Sequence, residues 1–515
     1  MSAAALTLAL SLSLEQQVGQ LFVVTVDTVS AARDEDLIRG GLVSGGLLRW
    51  DKFTAAELAA FTAWLRERSP KGLPYMVFAD HEGGPLFTQR SFGATVMPGN
   101  MALGAADDES LAAAAAEASA RELAALGVHA DFAPAVDVNS NPLNPIIGVR
   151  SYGSAPDRVA ALGAAQVRGY LAGGVMPVAK HFPGHGDTAT DSHVGLPVVD
   201  RPRASFDRVE LPPFKAAIAA GVPMVMPAHV VAPALGAADR PVTFSAPVLE
   251  GVLRGELGFS GVVVSDSLDM GAVAKSTDVA EASVLSFLAG CDFLLTGKTD
   301  YRRTYGYFLE AVRSGRVPQE RLAAAVGRIL ALKARFPAAP PALDAAYGPA
   351  TAKAVAEAGL TLVRGSLPLK AKAGPLVLVA FRSKSYAKEL ESFAAGLARR
   401  FPGAEAVFLD PKPSPEDAAK ARAAAAKAGA LAVGTYLWGA TPPKEQVDLA
   451  AELFALGKPS VQLSLMNPYD ADRYPAAGAV LALYGPTPAM LEAAAAALAG
   501  ELEPSGALPV ALAKP

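Results

Sequence analysis

Along the first 335 residues, short apolar runs alternate with longer stretches whose apolar positions recur every three or four residues. The runs Leu21–Val26, Gly46–Leu48, Met76–Ala79, His129–Phe132, Met176–Ala179, Met224–Met226, Val262–Val264 and Phe293–Leu295 predict strands. They are too short for helices and rich in Val, Met and Phe. Between them, Ala55–Arg68, Glu109–Leu126, Ala155–Leu171, Ala204–Ala220 and Val279–Ala289 predict helices. Eight strands with helical crossovers predict a (β/α)8 barrel over residues 1–335. A doubly wound open sheet is the alternative, but no Gly-x-Gly-x-x-Gly follows the first strand to support it.

The texture then changes. Phe336–Leu343 is a Pro/Ala run, and prolines so spaced stop helices, so residues 336–349 are expected to be a linker. A second alternation fills residues 350–515, with strands expected at Leu376–Phe381, Ala406–Leu409, Leu431–Tyr436, Val461–Leu465 and Val480–Leu483. This predicts a smaller C-terminal α/β sandwich. It holds no histidine, which points to a structural or substrate-rim role.

Composition narrows the class. The 515 residues are 51% hydrophobic and 19% charged with a formal net charge of −4, which gives no reason to expect nucleic acid as partner. The single cysteine, Cys291, excludes an internal disulfide and lies in an apolar run as a small buried hydrophobe. No run approaches the ~20 apolar residues of a membrane span. Ala3–Leu14 is apolar but has no basic residue before it, so a cytoplasmic location is expected, with export left open.

The candidate chemistry gathers where predicted strands end. Lys180–His193 packs three of the six histidines, a lysine and two aspartates into one Gly-broken loop after the fifth strand. Asp80-His81-Glu82-Gly83-Gly84 follows the third strand, and Asp137–Pro142 with Ile147–Gly153 follows the fourth. Pro227-Ala228-His229 ends the sixth, and Ser265–Gly271 the seventh. In a barrel these converge on one face, bringing Asp80, Asp191 and Asp266 together with Arg150, Lys180, His181 and His193. Such a mixture suits a polyhydroxylated ligand, since carboxylates accept from hydroxyls and cations donate to them. His181, His185, Asp187, Asp191 and His193 are metal-liganding types, but their spacing matches no standard zinc pattern, so neither metal nor cofactor is expected.

The loop, read as K-H-F-P-G-H-G-x-x-x-x-D-S-H, resembles the signature of family 3 glycoside hydrolases of the β-N-acetylhexosaminidase branch. The likeness continues in the strand-end motifs above, in Glu210–Lys215 and in Gly506–Val510, and so covers nearly the whole chain. It implies an exo-acting retaining β-N-acetylglucosaminidase working by double displacement. Asp266 then corresponds to the nucleophile and His193 to the acid/base, oriented by Asp191 two residues earlier. An imidazole exchanges protons near neutrality, and a neighbouring carboxylate fixes its tautomer. Asp80, Arg150, Lys180 and His181 correspond to residues gripping the sugar hydroxyls.

Three details extend this reading. An extended backbone is expected to point Asp191 and His193 the same way. Gly184 and Gly186 are expected to make the loop mobile, so that it closes over bound sugar. Asp269 is expected to start a helix, while His185 and His229 are read either as structural residues or as supports for the site. One departure is visible: the family's strand-three motif continues D-x-E-G-G-R, whereas this chain has Pro85 there and its next arginine at Arg90.

The implied partner is a GlcNAc-terminated saccharide or muropeptide, bound by a monomer or weak dimer. A phosphorylase, a β-glucosidase and a catalytically silent sugar-binding protein stay open as alternatives.

Overall fold

The computed structural model describes residues 3–49, 53–335, 343–371, 374–439 and 441–512. After the helix Ala3–Ser11, Ser13 caps a second helix, Leu14–Gly19, in a reciprocal capping box with Gln16. The chain then enters the first strand. Eight parallel strands follow: β1 Phe22–Val26, β2 Gly45–Leu48, β3 Met76–Ala79, β4 Ala130–Asp131, β5 Met176–Phe182, β6 Met224–Pro227, β7 Val262–Val263 and β8 Leu294–Leu295. They pair in the order 7-6-5-4-3-2-1-8. A parallel bridge between Val264 and Phe293 joins β7 to β8, with Phe293 N–H donating to Val263 O at 3.0 Å, and this closes the ring. The barrel expected from the alternating pattern is present. Inside it, Phe78 packs on Phe132 and Phe293 with ring centroids 5.3 and 5.7 Å apart.

The strands are buried on both faces, which is why they read as unbroken apolar runs. The fifth strand is the exception and runs longer than its apolar pattern. It continues through Lys180 and His181 to Phe182, because Lys180 and Phe182 still pair with Met226 and Pro227 across a register shift. Two polar side chains thus lie inside a buried strand. The expected helix Ala204–Ala220 is split into Arg203–Arg208 and Leu211–Ala219, since Pro212 and Pro213 suit a helix start and not its interior. Cys291 is fully buried, and burial pushes its thiol up.

Of the segment expected as a linker, residues 336–342 lie outside the described residues. The rest is not all linker, because a helix, Tyr347–Gly359, begins within it. That helix packs on the barrel helices Asn100–Ala106 and Glu109–Ala125 and on Pro488–Ala499 of the C-terminal domain.

The second sheet holds β9 Thr361–Arg364, β10 Leu376–Phe381, β11 Glu405–Leu409, β12 Ala430–Thr435, β13 Ser460–Ser464 and β14 Ala479–Ala482, in the order 11-10-12-13-14-9. All pairings are parallel except β14 with β9. The five expected strands are there; β9 is additional, an antiparallel edge only partly buried after Thr361. Helices cover both faces of the sheet, giving the expected α/β sandwich. Among the described residues no helix is long and apolar enough to cross a membrane.

Candidate active site

The carboxyl ends of the barrel strands open into a cavity of about 650 Å³. Asp80, Arg150, Lys180, His181, His193 and Asp266 all line it, so six of the seven expected site residues meet in one space. The seventh, Asp191, stands behind His193.

A buried ion network forms one wall. Arg150 grips Glu82 with two prongs, Nε to Oε2 at 2.9 Å and Nη2 to Oε1 at 2.8 Å. Lys180 Nζ lies 2.6 Å from Glu82 Oε1 and 3.5 Å from Asp80 Oδ1. Burial alone would raise Glu82, but Arg150 and Lys180 outweigh it and hold the carboxyl down at about 2. Two cations thereby share one committed counter-ion, which leaves Asp80 the less strongly paired carboxylate. Burial pushes Asp80 above the ordinary range; Lys180 opposes the shift, and Glu82 and Asp266 add to it. Glu82 is one residue of the site that sequence reasoning passed over. It lay within the strand-three motif, but its place between two cations from other strands depends on the folded barrel.

A second carboxylate organises the start of the long loop. Asp137 accepts from His181 N at 3.2 Å and from His185 N at 2.7 Å, and its Oδ2 lies 2.8 Å from His181 Nδ1. Burial works against this charge, yet His181 and the N–H donors hold Asp137 at about 2. With Nδ1 donating to Asp137, His181 Nε2 faces Arg150 Nη2 at 3.3 Å. His185 bridges within the loop, its ring nitrogens 2.7 Å from Thr188 Oγ1 and 3.1 Å from Ser192 Oγ. Burial lowers it to about 4, so it stays neutral there.

On the opposite side, Asp266 follows β7 and accepts from Ser267 N at 2.7 Å. Burial favours its neutral form, but the imidazoles of His229 and His181, the Ser267 N–H and Lys180 hold it below the ordinary range. His229 is itself pushed down by burial, so near neutrality Lys180 and the N–H carry more of that effect. His229 Nε2 lies 3.0 Å from Ser267 O and its Nδ1 2.8 Å from Thr243 Oγ1. It thereby bonds the backbone carbonyl next to Asp266. Asp269 is not a helix cap, because Met270 occupies that position. Instead it accepts from Ser267 Oγ at 2.7 Å and Lys298 N at 2.9 Å, tying the loops after β7 and β8 together.

His193 sits at the mouth, with 46% of its side chain exposed against 29% for Asp191. Asp191 Oδ1 lies 2.8 Å from His193 Nδ1 and also accepts from His193 N at 2.8 Å. The backbone here is a turn, not the expected extended segment. Val194 N and Gly195 N both donate to Asp191 O, and the aspartate side chain closes back on the residue two ahead. The loop is pinned to the β7 side by Ala272 N donating to Ser192 O at 3.0 Å.

The glycines expected to loosen this loop instead pack it. A Cβ on Gly186 would lie 1.7 Å from Val138 O, and one on Gly184 2.7 Å from Glu210 Cγ. Of the residues weighed as metal ligands, Asp187 pairs with Arg201 at 2.5 Å, His181 with Asp137, His185 with Thr188 and Ser192, and Asp191 and His193 with each other.

Phe87 was not singled out from the sequence, since nothing in Pro85–Arg90 has a period. Its ring lies 4.2 Å beneath the Arg150 guanidinium carbon and stacks on His193 at 6.2 Å. Pro85 lies at the domain interface, where its carbonyl accepts from Tyr386 Oη and, at 2.9 Å, from Arg90 Nη2. Arg90 itself turns to the C-terminal domain, pairing with Glu389 at 3.3 Å and lying over the Tyr386 ring.

Residues 13–332 match the glycosyl hydrolase family 3 N-terminal domain. A β-hexosaminidase A of Pseudoalteromonas piscicida is 38% identical over 293 residues, 53% of this chain and 49% of that protein, so the chain matches only about half the length of this relative. A β-N-acetylglucosaminidase/β-glucosidase of Cellulomonas fimi is 32% identical over 535 aligned positions, covering 96% of this chain and 93% of its own. The structure of a glycoside hydrolase family 3 β-N-acetylglucosaminidase from Paenibacillus sp. str. FPU-7 superposes with a TM-score of 0.89 at 36% identity, over 98% of this chain and 99% of that one.

Proposed function

The chain belongs to glycosyl hydrolase family 3, and from that premise we propose that it is an exo-acting retaining β-N-acetylglucosaminidase. The observation that carries this reading is the Asp191–His193 pair, held at 2.8 Å at the rim of the cavity that Asp266 lines. Asp80, Arg150, Lys180 and His181 bind the sugar hydroxyls. An Asp266 oxygen attacks the anomeric carbon as the bond to the leaving oxygen breaks, and His193 gives that oxygen its proton. In the second step His193 takes a proton from water, the water oxygen bonds to the anomeric carbon, and Asp266 leaves as carboxylate. Two inversions retain the β configuration.

Asp191 accepts from Nδ1, which leaves Nε2 as the nitrogen that exchanges the proton and lets the carboxylate stabilise the imidazolium between steps. Lys180 and the Ser267 N–H favour the ionised Asp266 that attack requires. The substrates that fit are saccharides or muropeptides ending in β-linked GlcNAc, acted on by the barrel within residues 1–335.

The test is turnover of aryl β-N-acetylglucosaminide beside aryl β-glucoside, with and without inorganic phosphate. Preference for the acetamido sugar, with a β-configured free sugar as first product, supports the reading. Sugar 1-phosphate formed in phosphate buffer would make the protein a phosphorylase, preference for the plain glucoside a β-glucosidase, and binding without turnover a sugar-binding protein.

A further inference from the structure

We propose that the C-terminal domain is a working part of the sugar subsite and that Tyr469 is a positioning residue for Arg150. The inference rests on the reading of Arg150 as a sugar-binding residue.

Arg150 ends a short turn, Gly148–Arg150, in the long loop after β4. Its guanidinium is oriented by Glu82; the backbone that delivers it is held within the barrel by Asn100 Nδ2, which donates to Arg150 O at 2.8 Å, and is braced further from the other domain. Gly148 N donates to Asn139 Oδ1 at 3.2 Å, and Asn139 Nδ2 donates to Tyr469 Oη at 2.6 Å. Asn467, two residues before Tyr469, lies flush against the turn: a Cβ on Gly148 would come within 2.4 Å of Asn467 Oδ1, and Gly148 has a φ of +45°. On the far side of Arg150, Ser154 N donates to Pro509 O at 3.0 Å, and a Cβ on Gly153 would lie 2.3 Å from that same carbonyl.

The segment Gly148–Ser154 is therefore bracketed at both ends by groups of the second domain. Neither Tyr469 nor Asn467 lines the cavity, so their action on a sugar runs through Arg150. A side chain that recognises hydroxyls loses much of its effect when its backbone shifts by ~1 Å. Tyr469 is suited to hold it because its hydroxyl is largely buried, and burial pushes the phenol up to about 12, further from ionisation than an ordinary tyrosine that is already neutral at working pH. The hydroxyl is then a fixed neutral acceptor for Asn139.

The experiment is a cycle on the full chain with Tyr469→Phe, Arg150→Lys and both together, read as kcat/KM on an aryl β-N-acetylglucosaminide and as Tm. Phenylalanine keeps the ring and removes only the acceptor. The expected result is about a 10-fold fall in kcat/KM for Tyr469→Phe, the size of one lost buried hydrogen bond. In the Arg150→Lys background the same change then has no further effect on kcat/KM. A purely structural contact would lower Tm equally in both backgrounds and reduce kcat/KM by the same factor in each, or not at all; either result overturns the proposal. Asn467→Ala, measured the same way, gives the same discrimination if Tyr469→Phe folds poorly. If Arg150→Lys alone leaves kcat/KM unchanged, the sugar-binding reading of Arg150 falls and takes this inference with it. Loss in Arg150→Lys beside full activity in Tyr469→Phe and Asn467→Ala removes this inference only.

Discussion

Arg150 and Glu82 meet in a two-pronged ion pair at 2.9 and 2.8 Å, and Lys180 closes on the same carboxylate at 2.6 Å. The loops after β3 and β4 and the end of strand β5 are thus locked by one acidic side chain that has no free edge for substrate. Removing it would leave Arg150 without its paired carboxylate and Lys180 with only the more distant Asp80 at 3.5 Å. Glu82→Ala is expected to lower stability by about 3–5 kcal/mol, the usual cost of breaking a buried pair from one side. Glu82→Gln should fold better yet lose about 100-fold in kcat/KM, because Arg150 and Lys180 lose their aim. Urea unfolding and steady-state kinetics measure the two effects; a stable, fully active Glu82→Ala would refute the role.

The loop glycines give a second expectation. Gly186→Ala drives a Cβ to 1.7 Å from a backbone carbonyl that cannot move aside, whereas the nearest atom to a Cβ on Gly195 is Thr190 Cγ2 at 3.5 Å. Gly186→Ala should cost about 3 kcal/mol or more, as overpacking does, and Gly195→Ala almost nothing. Equal Tm values for the two variants would mean the loop gives way at Gly186, as the hinge reading of its glycines requires.

His185 makes part of the acid sensitivity predictable. Its pKa is about 4 in the fold against an ordinary 6.5, so the native state prefers the neutral ring. Its contribution is complete above pH 6.5 and is lost as pH falls towards 4, amounting to about 3 kcal/mol across that window. His185→Asn should be less stable than the parent at pH 7 and should lose less on acidification to pH 4.5. Parallel stability curves for the two proteins would contradict the assignment.

Much of this was legible in the sequence where the physics is local. Apolar runs marked the barrel strands because both faces of each are buried, and Ala55–Arg68 and Val279–Ala289 showed as helices through their apolar spacing; in the fold Thr54 and Asp278 cap their starts. Strand β9 escaped because most of it is only partly buried and its one partner is antiparallel. The candidate site was visible as motifs at strand ends, which is where a barrel concentrates its chemistry. Glu82, Phe87 and Tyr469 were not. Their partners are respectively 68, 63 and 330 residues away along the chain, and only closure of the barrel and docking of the second domain make them neighbours.

The most direct test of the central claim is a leaving-group series on His193→Ala. If His193 protonates the departing oxygen, the variant should lose on the order of 10²–10⁴-fold in kcat/KM on alkyl or sugar leaving groups, the usual worth of general acid catalysis, and far less on activated aryl glycosides that leave without a proton. Rates should then fall steeply as the leaving-group pKa rises, where the parent shows little slope. Equal loss across the series would show that His193 does something other than donate that proton, and the proposed mechanism would have to be abandoned.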